Sequence, residues 1–201
     1  MILIASAAYL DTEFQIEFGK LPPAFLPIGN RRLYERQLVA IKNKFPDEDI
    51  YISLPDSYEL SKKDSVYLDR EKIRVIYNSP SLQLGSSILR AISIMNATSD
   101  SKQFRLLHGD TLLVDMPEES DVISVAETNK DYPWEVESSS DYSESVWCGF
   151  FSFANPQVFE ECLKVNGNNF LGAVYQYDKK HALLRLPAFS WLDFGHINMY
   201  F

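Results

Sequence analysis

A chain of 201 residues, 46% hydrophobic and 23% charged, has the make-up of an ordinary globular protein and is long enough for one sizeable core. No apolar run approaches the roughly 20 residues needed to span a bilayer. A net charge of -9 excludes a broad nucleic-acid-binding surface, which needs clustered Lys and Arg, but not a free nucleotide held locally by backbone N–H groups and a divalent cation.

In chain order, residues 1–7 are apolar with no basic stretch before them, which reads as a first buried strand rather than a secretory signal. Residues 32–45 form a helix whose Tyr34, Leu38, Ile41 and Phe45 share one face. Strands follow at 49–54 and 73–77, then a helix at 86–96 with Ile88, Ala91, Ile92 and Met95 on one side. Further strands fall at 104–108, 122–126 and 146–153. A third helix starts at Pro156, a favourable first-turn position, with Asn155 as its cap. Near-continuous apolar strands alternating with helices give an α/β fold, a Rossmann-like and mostly parallel sheet flanked by helices. Polar stretches at 57–70 and 129–145 read as loops or insertions. Cys148 and Cys162 match no metal pattern and need not pair, which together with the absent leader favours the cytoplasm.

Two acidic motifs stand out. The strand 104–108 runs into Gly109-Asp110-Thr111, placing a carboxylate just past the carboxyl end of a buried strand, where open α/β sheets bind ligands. Asp110 is a hard oxygen donor of the kind that holds Mg²⁺ on phosphates, and Gly109 permits close backbone approach. The plain alternative is a turn that caps the next segment. Near the chain end, Phe189-Ser-Trp-Leu-Asp193-Phe-Gly-His196 sets a second acid among aromatics, where an unpaired charge is expensive to bury. A metal would relieve that cost; a loop carboxylate or an ion pair would do so equally well. His108 reads as a packed strand residue, His196 as a donor behind the metal ligands, and His181 as an exposed turn residue. Trp134, Trp147 and Trp191 read as core or pocket wall.

The order of these motifs with Leu21-Pro-Pro-Ala-Phe-Leu-Pro-Ile-Gly-Asn-Arg-Arg-Leu33 and Trp147-Cys-Gly-Phe-Phe-Ser-Phe153 resembles the sugar-1-phosphate nucleotidylyltransferases. The glucose-1-phosphate thymidylyltransferase type is nearest. Those proteins read Pro-Lys-x-Leu-Leu-Pro-Ile-Gly-Asn, then Gly-Asp, then a Gly-Leu-Tyr-like strand, then Trp-Leu-Asp-Thr-Gly. The resemblance spans nearly the whole chain, and it implies a nucleotide-diphospho-sugar transferase fold over residues 1–201, with truncation at the carboxyl end left open. It further implies nucleotidyl transfer from a nucleoside triphosphate to a phosphorylated sugar or similar acceptor, in capsule or lipopolysaccharide synthesis. A homo-oligomer or a fused partner domain is compatible with it.

Carried over residue by residue, Asp110 and Asp193 match the family's two Mg²⁺ aspartates. Ala5, Ser6 and Ala7 close the first strand, at the end where the resemblance places the nucleotide. In Ser81-Leu-Gln-Leu-Gly-Ser-Ser-Ile-Leu-Arg90, residues Gln83, Gly85 and Ser86 fall where the base is contacted. That segment also resembles the Ser-Val-x-x-Ala-Leu run of cytidylyltransferases, which favours CTP over UTP or dTTP. Ser86 and Ser87 read equally as helix caps. Gly149 matches a position lining the sugar pocket, and Glu127 with Lys130 fall near an acidic-Lys pair that contacts the acceptor.

Two departures are plain. The family's Gly-Gly-x-Gly-Thr-Arg-Leu loop, which holds the triphosphate, is replaced by Ser6-Ala-Ala-Tyr-Leu-Asp-Thr-Glu-Phe-Gln15, with no glycine and no Arg. Pro23 stands for the family lysine, and Lys20, three residues upstream, is the replacement candidate in the catalytic set; Arg31 and Arg32 read rather as a solvated helix start. Two alternatives therefore accompany the transferase reading. One is a domain that binds nucleotide or sugar phosphate without turnover. The other is a glycosyltransferase using a nucleotide-sugar, for which only Asp110 with Asp115 offers an Asp-x-Asp-like motif.

Overall fold

The computed structural model describes residues 1–98, 103–127, 136–138, 144–196 and 200, with the backbone alone for residues 136–138. The elements run β1 (Ile2–Ala5), α1 (Thr12–Phe18), a 3₁₀ turn (Pro23–Phe25), β2 (Pro27–Ile28), β3 (Arg31–Arg32), α2 (Leu33–Lys44), β4 (Ile50–Pro55) and α3 (Lys62–Arg70). They continue with β5 (Arg74–Asn78), α4 (Leu84–Asn96), β6 (Phe104–His108), β7 (Thr111–Leu113), β8 (Val122–Glu127), β9 (Val136–Ser138) and β10 (Glu144–Phe153). The chain closes with α5 (Pro156–Val165), α6 (Phe170–His181), β11 (Leu184–Pro187) and β12 (Trp191–Asp193).

The main sheet has the order β11-β8-β10-β6-β1-β4-β5, with β9 beside β10. β1 lies parallel to β4 and β6, and β4 to β5. β8 and β11 are parallel as well, and β10 runs antiparallel between β6 and β8. This is the mostly parallel α/β sheet expected from the buried strands, with one reversed strand.

Alternation along β1 divides the core between the two faces of the sheet. Leu3 packs with Ile88 and Ile92 of α4, Phe159 of α5 and Phe170 and Tyr177 of α6. Ile2 and Ile4 face the other way, against Tyr34, Leu38 and Ile41 of α2 and Leu68 of α3. Both sides of the central strands are thus covered, which is why they read as unbroken apolar runs. A smaller cluster joins Leu10 and Phe14 to Leu26, Leu33, Leu112 and Phe194.

The helix ends follow local chemistry. Asn155 Oδ1 accepts from Val158 N at 3.2 Å ahead of Pro156, as expected. Asn169 caps α6, accepting from Gly172 N at 2.8 Å, and Lys179, Lys180 and His181 complement its carboxyl end.

Three expectations need correction. Residues 57–70 are not all loop, because α3 occupies Lys62–Arg70 with Ser61 Oγ accepting from Asp64 N at 3.1 Å. Ser86 and Ser87 do not cap α4: Gln83 is its N-cap residue, and Ser87 Oγ instead accepts from Asn78 Nδ2 at 2.8 Å. His181 is half-buried and stacked on Tyr177, with ring centroids 4.4 Å apart. Residues 129–145, expected as a loop, lie mostly outside the described residues; the described part holds β9 and the start of β10. Among the described residues, no helix is long and apolar enough to cross a membrane.

Candidate active site

β1 and β6 are neighbours, and Ala5 pairs with His108, so their carboxyl ends open side by side. Gly109 leaves β6 in close contact with β1: its N–H donates to Ala5 O at 2.9 Å, and a Cβ there would lie 2.8 Å from both Ala5 O and Ser6 Cβ. A larger residue would push the next residue, Asp110, away from the sheet edge.

Asp193 arrives by a separate route. β12 pairs antiparallel with β7 in a two-stranded ribbon, with Asp193 opposite Thr111, and Phe194 N donates to Asp110 O at 2.8 Å. Two residues 83 positions apart along the chain are thereby brought to one place by backbone bonds. A methyl group built on Gly195 would sit 2.7 Å from Asp110 Oδ2 and 3.2 Å from Asp193 Oδ1, so oxygens of both carboxylates flank one point. Asp193 is oriented by Gly195 N, which donates to Oδ1 at 2.8 Å, and by His196 Nδ1, 3.1 Å from Oδ2.

The electrostatics match this crowding. Burial, then the negative charge of Asp193, pushes the Asp110 carboxyl up to about 6. Two carboxylates sharing one site disfavour each other's charge, and a cation between them would reverse that penalty. Among the described residues no group of three or more His, Cys, Asp or Glu side chains surrounds a metal position. A pair of aspartates alone still suits Mg²⁺, which keeps several waters and takes phosphate oxygens from its substrate. Burial drives His108 down to about 4, against the opposing pull of Asp193, so its ring is neutral at pH 7. Burial also pushes the Cys148 thiol up to about 12, which rules it out as a thiolate nucleophile at neutral pH.

The cleft over these groups encloses about 340 Å³ and is lined by Ala5, Pro23, Leu84, Asp110, Trp147, Gly149, Trp191 and Asp193, with Ala8, His108, Cys148 and His196 among their neighbours. Gly149 has φ +74°, and a Cβ would lie 2.7 Å from Thr111 Oγ1 and 3.0 Å from His108 Cβ, so only glycine fits. It sits where the pairing of β10 with β8 shifts register between Trp147 and Phe151, an irregularity that bends the strand beside the cleft.

The remaining expected residues are distributed as follows. Ala5 lines the cleft, and Ser6 is buried, with its Oγ accepting from Ala24 N at 3.0 Å and its N–H donating to Ser53 Oγ. Ala7 is half-buried and is not a lining residue. Lys20 is exposed, with Nζ 4.3 Å over the Tyr9 ring, one residue beyond the lining Ala8. Gln83 is exposed at the start of α4 and Ser86 half-buried, while Leu84 between them reaches the cleft. Gly85 is packed against the loop before α6, where a Cβ would lie 2.0 Å from Asn168 O. Glu127 is exposed at the end of β8, away from the lining set, and Lys130 lies outside the described residues, as does Trp134. Arg31 and Arg32 line a separate hollow with Glu35 and Lys63. Asp115 is exposed, accepts from Ser190 Oγ at 3.2 Å and does not line the cleft, which leaves the Asp-x-Asp-like reading without geometric support. Trp147 and Trp191 form pocket wall, as expected of aromatics flanking the Gly149 and Asp193 motifs, whereas Leu84 is a lining residue that no motif singles out.

No family model and no curated protein matches the sequence. Solved structures do. A nucleoside-diphosphate-sugar pyrophosphorylase from Vibrio cholerae RC9 superposes with a TM-score of 0.73 at 13% identity, over 100% of this chain and 98% of its own. The inositol-1-phosphate CTP transferase from T. maritima gives 0.67 at 13%, over 98% and 89%. A UDP-glucose pyrophosphorylase complexed with UDP-glucose gives 0.62 at 14%, over 99% and 94%. The chain therefore has the α/β fold of nucleotide-sugar pyrophosphorylases and nucleotidylyltransferases, covered nearly end to end. At these identities the likeness defines the fold, and the chemistry must be argued from the cleft.

Proposed function

We propose that this chain is a Mg²⁺-dependent nucleotidylyltransferase that joins a nucleotide to a phosphorylated sugar or similar small molecule and releases pyrophosphate. The observation that carries this reading is the convergence of Asp110 and Asp193 on one point of a cleft at the carboxyl edge of a pyrophosphorylase-type sheet. In the reaction, an oxygen of the acceptor's phosphate monoester attacks the α-phosphorus of the nucleoside triphosphate. The bond from that phosphorus to the bridging oxygen breaks, and pyrophosphate leaves. No general base is required, since the attacking oxygen is already anionic, which fits a cleft whose His108 is neutral and whose Cys148 is protonated at pH 7.

Asp110 and Asp193 would hold the Mg²⁺, which supplies charge neutralisation and a template for the α-phosphate. His196 and the Gly195 N–H fix the direction of Asp193. Gly149 lines the cleft on the acceptor side and lets β10 lie against Thr111 and His108 next to Asp110. Ala5 and Leu84 line the nucleotide side of the cleft, with Gln83 and Ser86 flanking Leu84 at the start of α4, and Lys20 offsets phosphate charge from the rim. CTP is the preferred nucleotide, on the 81–90 segment and its likeness to cytidylyltransferases. A cytoplasmic role in surface polysaccharide synthesis completes the reading.

The test is pyrophosphate release over a panel of nucleotides and phosphorylated acceptors with Mg²⁺. Release in one combination, abolished by chelator, is expected; none in any combination sinks the enzyme reading. One observation favours a second reading, binding without turnover: the β1 side of the cleft offers Ala5, Ala8 and Pro23 in place of a glycine loop and its Arg. Calorimetric nucleotide binding that persists in chelator, with no product, would select it.

A further inference from the structure

Gln37 lies on the apolar face of α2, between Tyr34 and Leu38, and is fully buried. Its Nε2 stands 3.1 Å from His108 O, 3.2 Å from Gly109 O and 2.7 Å from Thr111 O. Three carbonyl acceptors around one atom identify it as the amide nitrogen, and its two N–H hydrogens are shared among them. Those carbonyls flank Asp110 on both sides, from the last residue of β6 to the first of β7. Oε1 of the same amide is buried with no hydrogen-bond partner among the described residues. An apolar side chain of equal length would avoid that unsatisfied oxygen, so packing alone does not account for an amide at this position.

The turn is held from two directions. On one side, Gly109 abuts Ala5 and Ser6 at the end of β1; on the other, Gln37 gathers the three carbonyls. We propose that Gln37 is a positioning residue for the two-aspartate site: its carboxamide sets the backbone at residues 108–111 and so aims the Asp110 carboxylate at the point it shares with Asp193. Gln37 touches neither substrate nor cation in this account. The inference rests on the metal-site reading above.

The test uses the full chain and Mn²⁺ alone as probe, followed by electron paramagnetic resonance well below the melting temperature. The proteins compared are the wild type, Gln37→Met, Gln37→Glu and Asp110→Asn. Methionine keeps the length and removes the donors; glutamate keeps the shape and turns acceptors toward three carbonyl oxygens. The expected result is a loss of Mn²⁺ affinity of about tenfold for Gln37→Met, in the range seen when partners behind metal ligands are removed. Gln37→Glu should lose more. A purely structural role would lower the melting temperature and leave the affinity of the folded protein unchanged. Wild-type affinity in both folded Gln37 variants, with affinity lost in Asp110→Asn, overturns this inference alone. Equal Mn²⁺ binding by wild type and Asp110→Asn, or none by either, overturns the metal-site reading and the inference with it. If neither Gln37 variant folds, the wild type decides. Its Gln37 side-chain amide resonances should shift on saturation with Mg²⁺, and resonances that stay in place refute the proposal.

Discussion

On the β7–β12 side of the cleft, two carboxylates are drawn together by strand pairing, oriented by Gly195 and His196 and left short of positive charge. On the β1 side, the wall is Ala5, Ala8 and Pro23, the Ser6 hydroxyl is spent on Ala24, and Lys20 rests on Tyr9 at the rim. The first side is built before any ligand arrives; the second brings little that would grip a triphosphate. On the proposed function, such a cleft would depend on its cation for most of the phosphate affinity, because few fixed donors share the work.

The hardest test of that asymmetry is to remove a carboxylate. Asp110→Ala or Asp193→Ala is expected to lower turnover about 10²–10³-fold or more, the scale on which a single preorganised electrostatic element acts, and steady-state pyrophosphate release checks it. A variant with near wild-type rate would move the phosphate-binding load to the other side.

Gly195→Ala sharpens the same point without changing charge. The added methyl would meet Asp110 Oδ2 at 2.7 Å, so one carboxylate must turn away. Metal affinity should fall about tenfold, read by calorimetry, while the fold melts normally.

A third test uses stability. In the folded chain Asp110 keeps its proton up to about 6, whereas an unfolded carboxyl releases it near 4. Between those values the folded state binds more protons, so ionised Asp110 destabilises the metal-free fold fully above pH 6. The penalty fades as pH falls toward 4. Asp110→Asn should thus stabilise the metal-free protein by about 1–2 kcal/mol at pH 8, discounted for solvent in the cleft. The gain should vanish near pH 4. Denaturant melts across pH check it, and a gain that grows on acidification would contradict the assignment. His108 runs oppositely: its folded value near 4 against an ordinary 6.5 removes stability as pH falls between them, so only the difference between variants is diagnostic.

The smallest effect is expected at the rim. Lys20→Ala should raise the nucleotide KM by no more than about fivefold with kcat unchanged, since an exposed charge contributes about 1 kcal/mol or less.

Much of the fold is legible in the sequence because its central strands are buried on both faces and its helices show one apolar stripe. α3 escapes such reading because its inward face is short and mixed, with Tyr67 and Leu68 beside a buried Asp64, and the Ser61 cap with Asp64 three residues on is its clearest local sign. α6 does carry a helical pattern in Phe170, Ala173, Val174 and Tyr177, which are spaced three, one and three residues apart on its buried face. At the site, Asp110 and Asp193 are legible from motif order, whereas the ribbon that joins them is three residues long on each strand and leaves no periodic trace. Gly85 shows the opposite limit. Chain order suggests a base contact, while the nearest thing to it is the Asn168 backbone, a packing demand that no spacing reveals. Gln37 was detectable as a polar residue on an apolar stripe, but its three carbonyl partners lie more than 70 positions away.

The most direct measurement is a crystal of the full chain soaked with Mn²⁺ and CTP, with anomalous scattering used to find the metal. The account predicts one peak held by carboxylate oxygens of both Asp110 and Asp193 and by phosphate oxygen of the nucleotide. Bound nucleotide with no peak at that position, or a peak held elsewhere, would contradict it.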